Sequence, residues 1–425
     1  MSNYAPSPQP PSTGSGRGSP SRVREQKRIA IINAVVIAPD AVIENSAVGI
    51  EDGRIVEVSH DGGLRCDYDH AIDARGAYVM PGIIDLHNDS LEVEVNPRPE
   101  TNLPLEFALA NLERRLLFSG VTTEFHAVAF MDNPRQGRTM ARGAEKAIFL
   151  AEYRRSGRQL VDNQVLHRLD VWSPDSLDYI FESLDRLETR YVSINDHTPG
   201  QGQYRDLGAF KERMKAWQEQ RGRGMDADTI EERMLRRAED METVPMVYAR
   251  ITEERERCHF TIASHDDDSP EKVAMLHGLG AGITEFPVDA DAARKAKELG
   301  MWSIVGAPNI VRGGSSSGNQ SAAELFSLGL ADVICADYHA PSMLPAAFKL
   351  VDDGIADLPT AIRALTLNAA KAVGMTERGA IEPGCIADLI VVRRIGRGIP
   401  MVERVLRAGV EVLSLQIPQA SEVPA

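Results

Sequence analysis

Cysteine is scarce: there are four, at 66, 258, 335 and 385, and no two of them form a Cys-x-x-Cys pair. That spacing excludes a disulfide scaffold and a thiolate zinc cluster, and it leaves reduced, mostly buried thiols of the kind a cytoplasmic protein carries. No apolar run reaches the ~18 residues a membrane-spanning helix needs. Residues 1–27 are rich in Pro, Ser and Gly and hold no apolar signal-peptide segment, so a disordered tail is expected there. A second, shorter tail is expected at 416–425. Basic excess is missing too. The 47 Lys and Arg against 62 Asp and Glu leave a net charge of −15, which speaks against nucleic acid and anionic membranes as partners. A small anion would need local arginines, backbone amides or metal ions to hold it. No internal repeat is present, and a homo-oligomer is compatible with everything so far.

What is there is an ordinary globular mixture, 43% apolar and 26% charged over 425 residues, enough for two or three domains or one large barrel with an appendage. From Arg28 the chain is β-branched and alternating, with a tight turn at Asp52-Gly53. The same texture returns at 386–392 and 402–413. A small β-sandwich built from both chain ends, 28–80 and 373–415, is expected. Between them, over 81–372, short apolar runs alternate with helical stretches, the rhythm of a parallel α/β sheet. Eight runs qualify as strands: 83–87, 122–129, 165–171, 190–196, 259–265, 283–287, 302–306 and 332–337. Eight such units predict a (β/α)8 TIM-like barrel, whose chemistry sits at the C-terminal ends of its strands. The charged stretch 205–257 is expected to be a solvated helical excursion after strand four.

Those strand ends share one chemistry. Strand one closes in Asp85, His87 and Asp89, strand two carries Glu124 and His126, and strand three ends near Asp170. Strand four ends in Asp196-His197, strand five in His265 through Asp268, and strand eight in Asp337-Tyr338-His339. Of ten histidines, 87, 126, 197, 265 and 339 fall at strand ends. His60, His70, His167, His259 and His277 do not, and structural roles are expected for them. Imidazole with carboxylate binds Zn, Mn or Fe, and alternation lets His87 and Asp89 face one centre. A lone histidine is usually structural; the recurrence is what predicts a metal site. After strand seven, Arg312 through Asn319 offers phosphate a guanidinium, the Gly313 and Gly314 amides, Ser315 and Asn319. It does not match the Walker pattern. Arg98, between two prolines, is a second candidate cation, and Gln201 and Tyr338 are candidate substrate contacts.

The stretches PGIIDLH (81–87) and GAIEPGCIADLIV (379–391), with a sheet made from both ends around a barrel, resemble the amidohydrolase superfamily. Within it, LHNDSLE (86–92), INDHTPGQGQY (194–204), ASHDDDSP (263–270), GAPNIVRGGSSSGN (306–319) and ADYHAPSML (336–344) are similar to the metal-dependent hydrolases of phosphonate degradation. The resemblance implies a binuclear divalent-metal site, with Zn favoured over Mn or Fe. His87 and Asp89 would hold one ion, His197 and His265 the other, with Asp170 at the bridging position and Asp337 as the strand-eight aspartate. His265 and Asp337 would be catalytic. It implies hydrolysis of a ribose 5-triphosphate bearing a 1-methylphosphonate, giving the 5-phosphate and pyrophosphate. The alternative on the same scaffold is opening of a cyclic amide or deamination, and a metal-free structural relative is the third reading. Strand one carries His-x-Asp in place of the superfamily's His-x-His, as this branch does. Asp170 stands where this branch has Glu, His126 replaces a residue expected to be acidic, and the ligands fall on strands 1, 3, 4, 5 and 8 rather than 1, 4, 5, 6 and 8.

Overall fold

The computed structural model describes residues 28–416 apart from 99–100, 133–137, 197, 199–207, 209–235, 238 and 315–319. The expected tail 1–27, the expected tail 416–425 beyond Gln416, and nearly all of the first part of the 205–257 excursion therefore lie outside the described residues. The chain opens with β1 (Arg28–Ile37), β2 (Val42–Glu51), β3 (Arg54–Ser59), β4 (His70–Asp73) and β5 (Tyr78–Pro81). The Asp52-Gly53 turn joins β2 to β3, with both residues at positive φ. The last strands, β14 (Leu389–Ile395), β15 (Ile399–Arg407) and β16 (Val410–Ser414), join the same sheet, because β5 pairs antiparallel with β14. Their β-branched residues share one core, including Ile31, Val36, Ile50, Val79 and Val391.

Between these ends stands the barrel. Its strands are β6 (Ile83–Asn88), β7 (Val121–Ala129), β8 (Asp162–Asp170), β9 (Tyr191–Asn195), β10 (Thr261–His265), β11 (Ala281–Glu285), β12 (Trp302–Gly306) and β13 (Val333–Cys335), hydrogen-bonded in sequence order. Each expected run is a strand. Neighbours are parallel throughout, and one bridge, Asn88 to Asp337, brings the last strand back to the first.

Alternation divides the barrel residues between two cores. Ile84, Phe125, Leu166, Ala263 and Ile304 fill the interior, while Ile83, Val128, Val165 and Ile262 face the surrounding helices. The helix Leu105–Phe118 shows why the outer layer forms: Ala108, Leu109, Leu112 and Leu116 repeat at helical spacing and are buried, each large side chain contributing about 1.5–3 kcal/mol. No helix among the described residues is long and apolar enough to cross a membrane.

Gly82 joins the two units. Its N–H donates to Asp388 O at 2.8 Å, and a Cβ there would fall 2.2 Å from Thr122 Oγ1 and 2.4 Å from its Cγ2. Thr122 is buried and β-branched, so it has little room to turn away. Gly82→Ala is expected to destabilise the protein by about 1–3 kcal/mol. Urea unfolding with a lowered midpoint and unchanged slope would confirm this; an unchanged midpoint would refute it.

Candidate metal centre

Strand period two carries chemistry into the barrel mouth. Beyond the interior residues Leu166, Ala263, Ile283 and Cys335, the next inward positions are Arg168, His265, Glu285 and Asp337. On β6 a register shift lies between Asp85 and Asn88. Leu86 keeps its interior place, and His87 also faces inward, its Nδ1 3.2 Å from Glu285 Oε1 across the barrel. The His87 and His265 rings stand 5.6 Å apart between centroids, and Phe286 meets both edge-on.

Three of the strand ends turn through backbone that non-glycine residues rarely adopt. Asp266, Phe286 and Asp337 have φ of 53°, 56° and 57°. Such conformations persist where surrounding bonds over-determine them, and here Asp266 N–H donates to Glu285 O and Phe286 N–H to Ile304 O, both at 2.9 Å. The turn at Asp266 sets its Oδ2 3.0 Å from His265 Nδ1.

His87, Asp89, Arg168, His265, Asp337, Arg312 and Tyr338 line one cavity of about 240 Å³. Thus five of the expected residues meet around a sixth, Asp337, and Arg168 is an addition. Arg168 Nη1 donates to Asp89 Oδ1 at 2.9 Å and Oδ2 at 3.2 Å, and its Nη2 to Asn195 Oδ1 at 3.1 Å. Burial pushes the Asp89 carboxyl up, but the charges of Arg168, His87 and Arg138, with the Arg168 hydrogen bonds, together hold it below its ordinary value. Burial favours a neutral His87, and Glu285 reverses that, raising it. Burial, helped by the Asp89 charge, raises Asp337 against the pull of His87, His265 and Arg168.

Glu285 was not singled out by sequence, although it sits two residues beyond Ile283. Tyr191 Oη donates to its Oε1 at 3.0 Å and Ser193 Oγ to its Oε2 at 2.5 Å. One ligand atom from each of His87, His265 and Glu285 lies within 4.8 Å of the others. His87 Nδ1 is buried with no in-line hydrogen-bond partner among the described residues. Two imidazoles and a carboxylate around a shared point, one ring nitrogen unused, form a donor set that fits a divalent ion such as Zn, Mn or Fe.

Other expected residues stand elsewhere. Asp170 Oδ1 accepts from Trp172 N–H at 3.0 Å, and Arg237 lies 3.8 Å from its Oδ2; it does not line the cavity. Arg98 is exposed on the loop after the helix Ser90–Val95, its Nε donating to Thr101 Oγ1 at 3.2 Å. The Gly313 and Gly314 N–H groups turn back onto Asn309 O, both at 3.1 Å, to end the helix Ala307–Arg312. Arg312 stays at the cavity rim, donating to Gly314 O at 3.0 Å. His197, Gln201, Ser315 and Asn319 lie outside the described residues.

Strand two faces away. Phe125 and Ala127 take its interior places, and His126 Nε2 pairs with Asn163 Oδ1 at 2.8 Å behind the wall. Burial pushes His126 down to about 4, so it is neutral. Glu124 stands beside Asp85 in the same wall, both fully buried. Burial, and then the Asp85 charge, hold Glu124 well above the usual carboxylate range, so Glu124 keeps its proton. His167, between Tyr191 O at 3.1 Å and Ser183 Oγ at 2.6 Å, has the structural role expected of it.

The chain is similar to known proteins. The amidohydrolase family model matches residues 208–412. Over 388 residues the chain is 32% identical to the alpha-D-ribose 1-methylphosphonate 5-triphosphate diphosphatase of Escherichia coli (strain K12), covering 90% of this chain and all of that one. Among solved structures, molinate hydrolase superposes with a TM-score of 0.60 at 16% identity, covering 94% of this chain and 100% of that one. The N-acetylglucosamine-6-phosphate deacetylase of Pasteurella multocida superposes with 0.59 at 12% identity, covering 90% and 99%. The two structural likenesses speak for the fold alone.

Proposed function

Since the chain belongs to the amidohydrolase family, we propose that it is a metal-dependent hydrolase that converts α-D-ribose 1-methylphosphonate 5-triphosphate to the 5-phosphate and pyrophosphate in cytoplasmic phosphonate breakdown. The observation that carries this reading is the 32% identity to the Escherichia coli diphosphatase along its whole length. The cavity supports it, because two guanidinium groups, Arg168 within and Arg312 at the rim, share it with the candidate ligands. A neutral cyclic amide would make little use of either cation.

His87, His265 and Glu285 are the described residues that would hold the ion, with Asp89 as a further carboxylate and His197 joining by the family pattern. Zn is the favoured metal, with Mn and Fe as alternatives. When bound, a divalent ion stabilises charge on phosphoryl oxygens and acidifies water. Asp337 takes the proton of the attacking water as its oxygen bonds to the α-phosphorus. The bond from that phosphorus to the bridging oxygen breaks, and its electron pair leaves with pyrophosphate. Asp337 then gives up the proton to the departing group or solvent. Asp266 orients His265 through its Nδ1, which leaves Nε2 for the cavity. Arg168 and Arg312 receive the polyphosphate, and Tyr338, exposed at the rim, offers its ring and hydroxyl to the sugar. Arg98, Gln201, Ser315 and Asn319 are assigned to the outer phosphates.

Phosphorus NMR of the metal-loaded protein with the ribose triphosphate tests the reading directly, and absence of pyrophosphate rejects it. Arg312→Ala is expected to lower kcat/KM by about 10- to 100-fold, the worth of a charge-assisted hydrogen bond. An unchanged value would point to a neutral substrate instead.

A further inference from the structure

Every neighbouring pair of barrel strands is joined by a ladder except at one seam, between β13 and β6. Two backbone bonds cross it: Asp337 N–H to His87 O at 2.9 Å and Asp89 N–H to Asp337 O at 2.8 Å. A third rung is made by a side chain. Ala336 N–H donates to Asp85 Oδ1 at 2.9 Å, and the same oxygen accepts His87 N–H at 3.3 Å. Asp85 is fully buried, and Glu124, its partner across the β6–β7 ladder, is buried against it. An unpaired N–H in that wall would cost about 1–3 kcal/mol, so the carboxylate stands where a backbone carbonyl is missing. The register shift that lets both Leu86 and His87 face inward begins at Asp85.

We propose that Asp85 is a positioning residue for the metal centre: by holding the His87 and Ala336 N–H groups on one oxygen, it sets the strand-one pair His87 and Asp89 against Asp337 of strand eight. This rests on the reading of those residues as the metal and proton-transfer groups. Asp85 touches neither substrate nor ion. Its carboxylate acts through two backbone amides, so what matters is an acceptor of that reach.

The test measures Zn2+ affinity by competition with a chromophoric chelator, and thermal unfolding of the metal-free proteins, for three forms. Wild type binds Zn2+. Asp85→Asn keeps the acceptor oxygen at the same reach and is expected to bind as wild type does. Asp85→Ser can still take the His87 N–H but falls short of Ala336, and it is expected to bind about 10- to 100-fold more weakly, the usual effect of removing an outer support of a ligand. Its metal-free form is expected to unfold cooperatively near the wild-type temperature. Equal affinity of Asp85→Ser and wild type overturns the proposal, and so does an Asp85→Asn form as weak as Asp85→Ser. A metal-free Asp85→Ser protein that does not fold makes Asp85 a folding residue and also overturns it. Wild type without Zn2+ affinity removes the underlying reading of the site, an outcome distinct from these.

Discussion

Asp337→Asn is expected to lower kcat by about two to four orders of magnitude, the range for removing a positioned general base. The substitution isolates proton transfer because little else changes. Asp337 crosses the barrel seam through its backbone, receiving Asp89 N–H and donating to His87 O, and both bonds survive an amide side chain. Its φ of 57° is a conformation that Asn adopts more readily than most residues, so the turn after β13 stays unstrained. The change is isosteric, so the cavity keeps its shape. What is lost is a basic oxygen able to take a proton from water. Steady-state release of pyrophosphate at saturating metal is the measurement, with KM expected to stay within a few-fold of wild type. A kcat within tenfold of wild type would assign the proton to another group and remove Asp337 from the mechanism. Asp337→Ala is a poorer probe, since it adds a left-handed backbone cost of about 1–2 kcal/mol to the chemical loss.

The barrel was legible in the sequence because each strand is a short apolar run closed by turn residues, and the number and order of runs follow from counting. The site was legible where a histidine or aspartate terminates a run, as at His87, His265 and Asp337. It was hidden where strand ends were misplaced. The run 283–287 was expected to continue through Pro287, which buries Glu285 in mid-strand; β11 ends at Glu285, where its side chain meets the cavity layer. Arg168 was passed over for the same reason, two residues beyond interior Leu166 but inside a run expected to reach Val171. His126 carried the opposite error in signal: at a strand end by type, it faces outward because Phe125 and Ala127 own the inward places, and period two fixes faces only once the register is known. The ligand count by strand is resolved in part, since strand six does carry a ligand candidate in Glu285. Asp85 was legible as a strand-end carboxylate, but its contact was not. Its partner Ala336 is 251 residues away, and their meeting depends on barrel closure.

Arg168→Met is expected to have two opposite consequences, and their coexistence is the test. Without metal, the variant loses the guanidinium that engages both Asp89 oxygens. Asp89 is then left to the His87 ring, 4.0 Å from its Oδ1, with the Asp337 charge beside it. Removing one partner of a buried ion pair costs about 3–5 kcal/mol. This pair opens onto the cavity, with the two side chains 18% and 29% exposed, so solvent screening reduces the figure to about 2–3 kcal/mol. Met keeps the apolar stem packed, which confines the loss to charge. With Zn2+ or Mn2+ added, the gap to wild type is expected to narrow. A cation approaching Asp89 in the wild type competes with Arg168, and in the variant it does not. Turnover moves the other way: kcat/KM for the triphosphate is expected to fall by about 100-fold or more, because a buried cation facing a phosphate contributes about 2–5 kcal/mol. Chemical denaturation with and without metal, beside pyrophosphate release, separates the two effects. A metal-free variant as stable as wild type would mean that the Arg168–Asp89 pair carries no net stability. A deficit that metal leaves unchanged would mean that Asp89 does not meet the ion. An unchanged kcat/KM would place the polyphosphate away from Arg168, and with it the reason an acidic chain can take so negative a substrate.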